Sequence, residues 1–120
     1  MENLIQNNIS FAIGSDVAAG TTLSMPYHAK MAIYKQESYR FDPVQAFSAI
    51  TLNSAKLLGL ENKIGSLESG KSADIVFYAK SDLMNGSASD KIADLVFTGH
   101  DKKIYEVMIQ GKSLYKDSKN

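Results

Sequence analysis

Residues 42–60 constrain the fold of this chain more than any other stretch. Asp42-Pro43-Val44-Gln45 is a complete helix start. Asp42 can cap, Pro43 suits the first helical position where its missing donor is not needed, and Gln45 can reach back to close a capping box. Val44, Phe47, Ile50, Ala55 and Leu58 then recur at helical spacing. Gly59 supplies a left-handed C-cap, with Leu60 as the apolar contact beyond it. The spacing predicts one helix over 43–58 whose function is packing. Past Gly59 the helical period gives way to short apolar runs set between turns. The chain therefore divides near Leu60 into a strand-and-helix part, 1–59, and a β-rich part, 60–120, and the fold class is α/β.

The rest of the chain fills in around that helix. Leu4 and Ile5 read as the last turn of a short helix closed by Asn7 and Asn8, because Asn tolerates the left-handed position at helix ends. Ile9 and Phe11-Ala12-Ile13 suit a short buried strand that Gly14 ends. Pro26 opens a helix over 26–37, with Tyr27, Met31 and Tyr34 on one face. Residues 64–71 are turn-rich, and Ala73 to Tyr78 form a β-branched strand buried on at least one face. Residues 80–91 are polar and read as a surface loop, and Ile92 to Phe97 are apolar again. Ile104 to Ile109 make a further strand, which Gln110-Gly111 turns into a hairpin with Ser113-Leu114-Tyr115. The tail, Lys116 to Asn120, is polar and reads as loose.

Composition excludes several classes of function. The 120 residues carry 13 basic and 13 acidic side chains, so the net charge is zero. That balance argues against nucleic acid or an anionic membrane as the main partner. No cysteine is present, which excludes disulfides and thiolate metal sites and suits a reducing, cytoplasmic setting. No apolar run approaches the roughly 20 residues that a membrane span needs.

The stretch that speaks of chemistry is Gly14-Ser15-Asp16-Val17-Ala18-Ala19-Gly20. Asp16 sits where the strand before it gives out, framed by two glycines. An aspartate in a glycine-rich turn is commonly a turn former that bonds its own backbone. The other reading is a catalytic or metal-binding carboxylate. The glycine spacing is no phosphate cradle, because no Lys-Ser or Lys-Thr pair follows Gly20. A dinucleotide fingerprint fails as well, since the middle glycine is missing. His28 reads as a hydrogen-bonding surface residue and His100, between Gly99 and Asp101, as a turn residue too isolated to bind metal.

Three segments together resemble the metal-dependent amidohydrolases, and within them the guanine deaminases. Gly14-Ser15-Asp16-Val17-Ala18-Ala19-Gly20-Thr21, followed by Ser24-Met25, resembles that family's stretch after the last barrel strand. Thr51, Ala55, Leu58, Gly59 and Leu60 resemble the ending of the helix that follows it. Ile64-Gly65-Ser66, with Gly70-Lys71-Ser72-Ala73-Asp74, resembles the signature leading into a strand, and Val107 to Lys112 is similar to the closing hairpin. The match runs from about Ile9 onward.

The resemblance implies a structure and a chemistry. Residues 9–16 would be the last strand of a (β/α)8 barrel, 26–37 the helix after it, and the strands past Gly59 part of a flanking β-sandwich. Asp16 would then lie at the C-terminal end of a barrel strand, where active sites of that fold sit. The family's matching aspartate binds a catalytic zinc and moves a proton for the attacking water. Zinc lowers the pKa of bound water to about 7, and a nearby carboxylate can take the proton and return it to the leaving ammonia. The implied substrate is guanine or a related purine.

The chain also departs from the family. No His-x-His pair is present, and neither His28 nor His100 matches a family ligand position. One carboxylate cannot hold a catalytic zinc, so these residues alone are expected to be an inactive C-terminal piece of a larger enzyme. The same region of another amidohydrolase, chlorohydrolase-like or a nucleoside deaminase, and a free-standing non-catalytic interaction domain are the alternatives. The strand at 9–16, built to be covered on both sides, predicts a homo-oligomer if the chain stands alone.

Overall fold

Three helices meet on small side chains. In the computed structural model, which describes residues 2–37, 39–79 and 85–118, the order is α1 (Glu2–Gln6), α2 (Met25–Tyr34), α3 (Pro43–Ala49), α4 (Leu52–Leu57), β1 (Ile75–Tyr78), α5 (Ala88–Thr98), β2 (Ile104–Ile109) and β3 (Lys112–Lys116). Helices α2, α3 and α5 pack against one another pairwise. Their meeting point is Ala29 of α2, Ala46 and Ala49 of α3 and Val96 of α5, all fully buried, with Phe41 beside them. Alanines at such a crossing let backbones approach closely, and Ile5, Phe11, Ile13, Ile33 and Ile92 close over the result.

The start of α3 follows the sequence expectation. The Asp42 side chain accepts from the Val44 N–H at 2.7 Å, and the Gln45 side chain accepts from the Asp42 N–H at 3.1 Å, within a complete capping box. Such a cap stabilises a helix by about 1 kcal/mol. The end of the segment also follows it: Gly59 has φ +68, the Leu60 N–H bonds the Ala55 carbonyl and the Gly59 N–H bonds the Lys56 carbonyl. The same bonding pattern ends α1, where Asn8 has φ +53 and the Ile9 N–H reaches the Leu4 carbonyl at 2.8 Å.

Between those ends the single helix over 43–58 is corrected. It is two helices, broken at Ile50-Thr51, where Thr51 has φ −130 and ψ −98. The Thr51 hydroxyl donates to the Phe47 carbonyl at 2.7 Å, and the Ser54 hydroxyl donates to the Ala49 carbonyl at 2.9 Å. Hydroxyl side chains here take carbonyls that a continuous helix would use, and the backbone tightens to a Thr51 N–H to Ser48 carbonyl bond. The turn at Gly65 packs onto this break. A Cβ there would lie 2.6 Å from Ala55 Cβ and 3.2 Å from Leu52 Cα, and φ is +92.

Other expectations need correction too. Residues 9–16 form no strand; the Ile13 N–H goes instead to the Ala49 carbonyl at 3.0 Å. A strand exists only through a neighbouring ladder, and the described residues supply none at this position. The helix read over 26–37 ends earlier, at Tyr34. Of the polar loop read over 80–91, residues 80–84 lie outside the described residues, and α5 begins at Ala88. A capping box starts it: the Ser87 side chain accepts from the Asp90 N–H, and an Asp90 carboxylate oxygen accepts from the Ser87 N–H. The apolar residues from Ile92 to Phe97 lie within this helix, and Val96 is its fully buried residue.

The three strands form one antiparallel sheet in the order β1-β2-β3. Gln110 and Gly111 both have positive φ, +51 and +75, which is the twist a two-residue hairpin requires. Asp74 pins that turn to the neighbouring strand, its carboxylate accepting from the Gln110 N–H at 2.7 Å and the Ser72 hydroxyl at 2.8 Å. Of the tail read as loose over Lys116 to Asn120, Lys116 ends β3 and Asp117 pairs with Lys103, and residues 119–120 lie outside the described residues. The expectation that the strand ending at Tyr78 is buried on one face is corrected: Val76 and Phe77 are 43 % and 42 % exposed.

Two outcomes test this description. Gly65→Ala should lower stability by about 1–3 kcal/mol, from overpacking against Ala55 on top of the left-handed strain, as read from the urea midpoint. The Asp90 carboxyl is held below the ordinary aspartate range by hydrogen bonds from the Ser87 hydroxyl and backbone. Its stabilisation of α5 is therefore complete above the unfolded aspartate value and lost as pH falls through the lower folded one. Ser87→Ala should flatten that part of the acid limb of a circular-dichroism titration; an unchanged limb would refute the linkage.

Candidate functional site

Asp16 lies on the loop that leads from the Ile13 contact into α2, and its backbone is left-handed, φ +51. The turn is made by its carbonyl oxygen, which accepts the Ala19 N–H at 3.0 Å and the Gly20 N–H at 2.6 Å. The carboxylate takes no part. Asp16 is exposed, and its side chain has no hydrogen bond or ion pair among the described residues. A turn former of the ordinary kind would spend the carboxylate on its own backbone, and this one does not.

Gly20 makes the turn possible. A Cβ there would sit 1.9 Å from the Ser15 carbonyl oxygen and 3.1 Å from that of Asp16, so the backbone could not close. Ala18 also has positive φ, +82, an uncommon state for alanine. Val17 and Leu23 lie on the same loop and are each 72 % exposed.

The histidines take the places expected of them. His28 Nε2 is 2.8 Å from the Thr22 carbonyl, a hydrogen bond between α2 and the loop. His100 follows α5, with Lys30 Nζ and an Asp101 carboxylate oxygen each 2.9 Å from its Nε2, and the Tyr27 ring 5.6 Å away. Neither histidine is brought to Asp16 in a ligand set: among the described residues no group of three His, Cys, Asp or Glu is close enough to hold a metal ion. Zinc in proteins takes roughly three or four ligands, and a lone carboxylate such as that of Asp16 could supply no more than one or two of the contacts. The residues present do not fit a zinc ion on their own.

The signature at 64–74 is structural. Lys71 Nζ donates to the Ser66 hydroxyl and pairs with Glu68 at 3.1 Å, and the hydrogen bonds from Ser66 and Lys71 hold the Glu68 carboxyl below its usual range. With Asp74 at the hairpin turn, the segment fastens the sheet to the broken helix. A feature that sequence reasoning missed lies beside it. A cavity of about 550 Å³ opens between α3, α4, α5 and β1, lined by Phe47, Ile50, Leu58, Ile64, Val76 and Leu95 among others. Asp16 does not line it. Only the packing of four elements creates this space, and no local pattern could have announced it. Among the described residues no helix is long and apolar enough to cross a membrane.

Comparison with known proteins agrees with the geometry. Residues 1–114 match the amidohydrolase family. The chain is 31 % identical to guanine deaminase of Escherichia coli strain K12 over 92 % of its own length and 27 % of that protein's. It is 30 % identical to a 5-methylthioadenosine/S-adenosylhomocysteine deaminase of Teredinibacter turnerae, over 94 % of its own length and 27 % of the relative's. The solved structure of the E. coli guanine deaminase superposes with a TM-score of 0.83 at 30 % identity, covering 98 % of this chain and 29 % of that one. An adenosine deaminase from Xanthomonas campestris with bound zinc superposes at 0.71 and 26 % identity, covering 92 % of this chain and 26 % of that one. The chain spans about a quarter of the length of these relatives. These 120 residues are a mixed α/β piece aligning to part of the amidohydrolase structures, and the chain belongs to the amidohydrolase family.

Proposed function

We propose that these residues are the C-terminal part of a zinc-dependent guanine deaminase, which hydrolyses guanine to xanthine and ammonia. In this reading residues 1–59 are the last βα segment of the barrel, with 9–16 pairing as a strand only against barrel residues outside these 120, and 60–120 belong to the flanking β-sandwich. Asp16 is the catalytic carboxylate and one ligand of the zinc. The observation that carries the proposal is the disengaged Asp16 side chain, held out by a turn that its own carbonyl closes. The likeness to E. coli guanine deaminase in sequence and in fold supports the choice of substrate.

A carboxylate in that position can act on protons. It accepts one from a nucleophilic water and returns it to the departing nitrogen, work worth roughly 10²–10⁴ in rate. The left-handed Asp16 backbone and the Gly20 close approach fix where the carboxylate starts, and the exposed Val17 and Leu23 give the loop an apolar surface suited to a planar base. The remaining zinc ligands and the purine-binding groups come, in this proposal, from residues outside these 120. The partial exposure of Val76 and Phe77, which point to opposite sides of β1, is consistent with a segment or second copy packing there.

A second reading is a nucleoside-type deaminase, favoured by the near-equal identity to the Teredinibacter enzyme. In the complete enzyme that carries this segment, ammonia release from guanine should greatly exceed that from 5-methylthioadenosine; the reverse order would transfer the assignment to the second reading. Asp16→Asn in that enzyme should cut kcat by about 10² or more, with the fold unchanged by circular dichroism. The 120 residues alone, given zinc and guanine, should release no ammonia above a blank and show no zinc-dependent rise in melting temperature. Turnover by the short chain would defeat the proposal that its site is completed elsewhere.

A further inference from the structure

We propose that His28 is a positioning residue for the loop that carries Asp16, a role that rests on reading Asp16 as the site carboxylate. The loop runs from Asp16 to Ser24 and is strained. Asp16 and Ala18 both hold positive φ, +51 and +82, without being glycine. Backbone of this kind persists only where its surroundings hold it. Burial does not hold it here, because Val17 and Leu23 are mostly exposed and residues 17–21 are exposed throughout.

Hydrogen bonds hold it instead, at two ends. At the first, the Asp16 carbonyl accepts from Ala19 and Gly20. At the second, Thr22 is gripped twice: its hydroxyl accepts the Ser24 N–H at 3.1 Å, and its carbonyl lies 2.8 Å from His28 Nε2. A carbonyl can only accept, so Nε2 carries the proton and the tautomer is set by this bond. Among the described residues it is the only side-chain hydrogen bond from the loop to α2. His28 is well placed to serve as the fixed end. It precedes Ala29, which is fully buried at the three-helix crossing, and its ring meets Tyr27 edge-on at 5.9 Å. The imidazole thus ties Thr22 to α2 beyond the backbone bond from the His28 N–H to the Ser24 carbonyl at 3.2 Å.

The test compares His28→Phe, which keeps a ring but no donor, with His28→Gln, which restores an N–H of similar reach. By hydrogen–deuterium exchange of the complete enzyme that carries this segment, the Phe variant should exchange residues 16–22 about tenfold faster, the loss of one hydrogen bond. Exchange in α3 and α5 should stay unchanged, and the Gln variant should return toward the native rate. In the complete enzyme kcat should fall about tenfold in the Phe variant and recover in the Gln variant. Equal exchange in native and Phe chains, fast exchange of 16–22 already in the native chain, or an increase spread over every helix would overturn the proposal. An Asp16→Asn enzyme that keeps its turnover removes the reading of Asp16 and the positioning role with it, whatever the exchange shows. An inactive Asp16→Asn beside a fully active His28→Phe removes the positioning role alone.

Discussion

The crossing of α2, α3 and α5 on Ala29, Ala46, Ala49 and Val96 is the contact on which the other features depend. Alanines contribute little burial each, so the contact gains its value from close approach and from the larger side chains that then close over it, Phe41, Phe11, Ile13 and Ile33. Through it the two parts of the chain are joined, since α5 comes from the β-rich part and the other two helices do not. The Asp16 loop hangs from the same place. Its upstream end is fixed by the Ile13 N–H on Ala49, and its downstream end by His28, next to Ala29.

A second constraint is the break at Ile50-Thr51. The hydroxyls of Thr51 and Ser54 divert two carbonyls, the backbone bends, and the bend accepts the turn at Gly65. From there the Ser66–Glu68–Lys71 cluster and Asp74 lead to the hairpin at Gln110-Gly111. Segments that mark the family in sequence therefore have separable roles. The signature at 64–74 fastens a sheet to a broken helix, whereas the stretch at 14–20 holds out a carboxylate with nothing to do in the fold.

Much was legible locally. Capping residues, glycine at a helix end and a turn pair between apolar runs act over a few positions, so Asp42, Gly59, Asn8 and Gln110-Gly111 could be read directly. Ser87 and Asp90 carried the same kind of signal for α5, and it was hidden by the polar residues around it. The break at Thr51 was not legible, because the competition of its hydroxyl with the backbone is close in energy and the packing of Gly65 weighs on the outcome. The strand at 9–16 failed for a different reason. Apolar character states that a segment can be covered, and only a neighbouring strand makes it part of a sheet.

By itself the sequence determined the helix ends, the hairpin turn, the neutrality of the chain and the family to which it belongs, all properties of nearby residues or of their order. The tertiary structure decided that Asp16 closes its turn with its carbonyl and leaves its carboxylate without a partner. It also decided that His28 reaches back to Thr22, and that an apolar cavity opens between α3, α4, α5 and β1. The physical reason is that each of these depends on which atoms come within hydrogen-bonding or van der Waals distance across elements. That distance is fixed by packing and is written in no single stretch of residues.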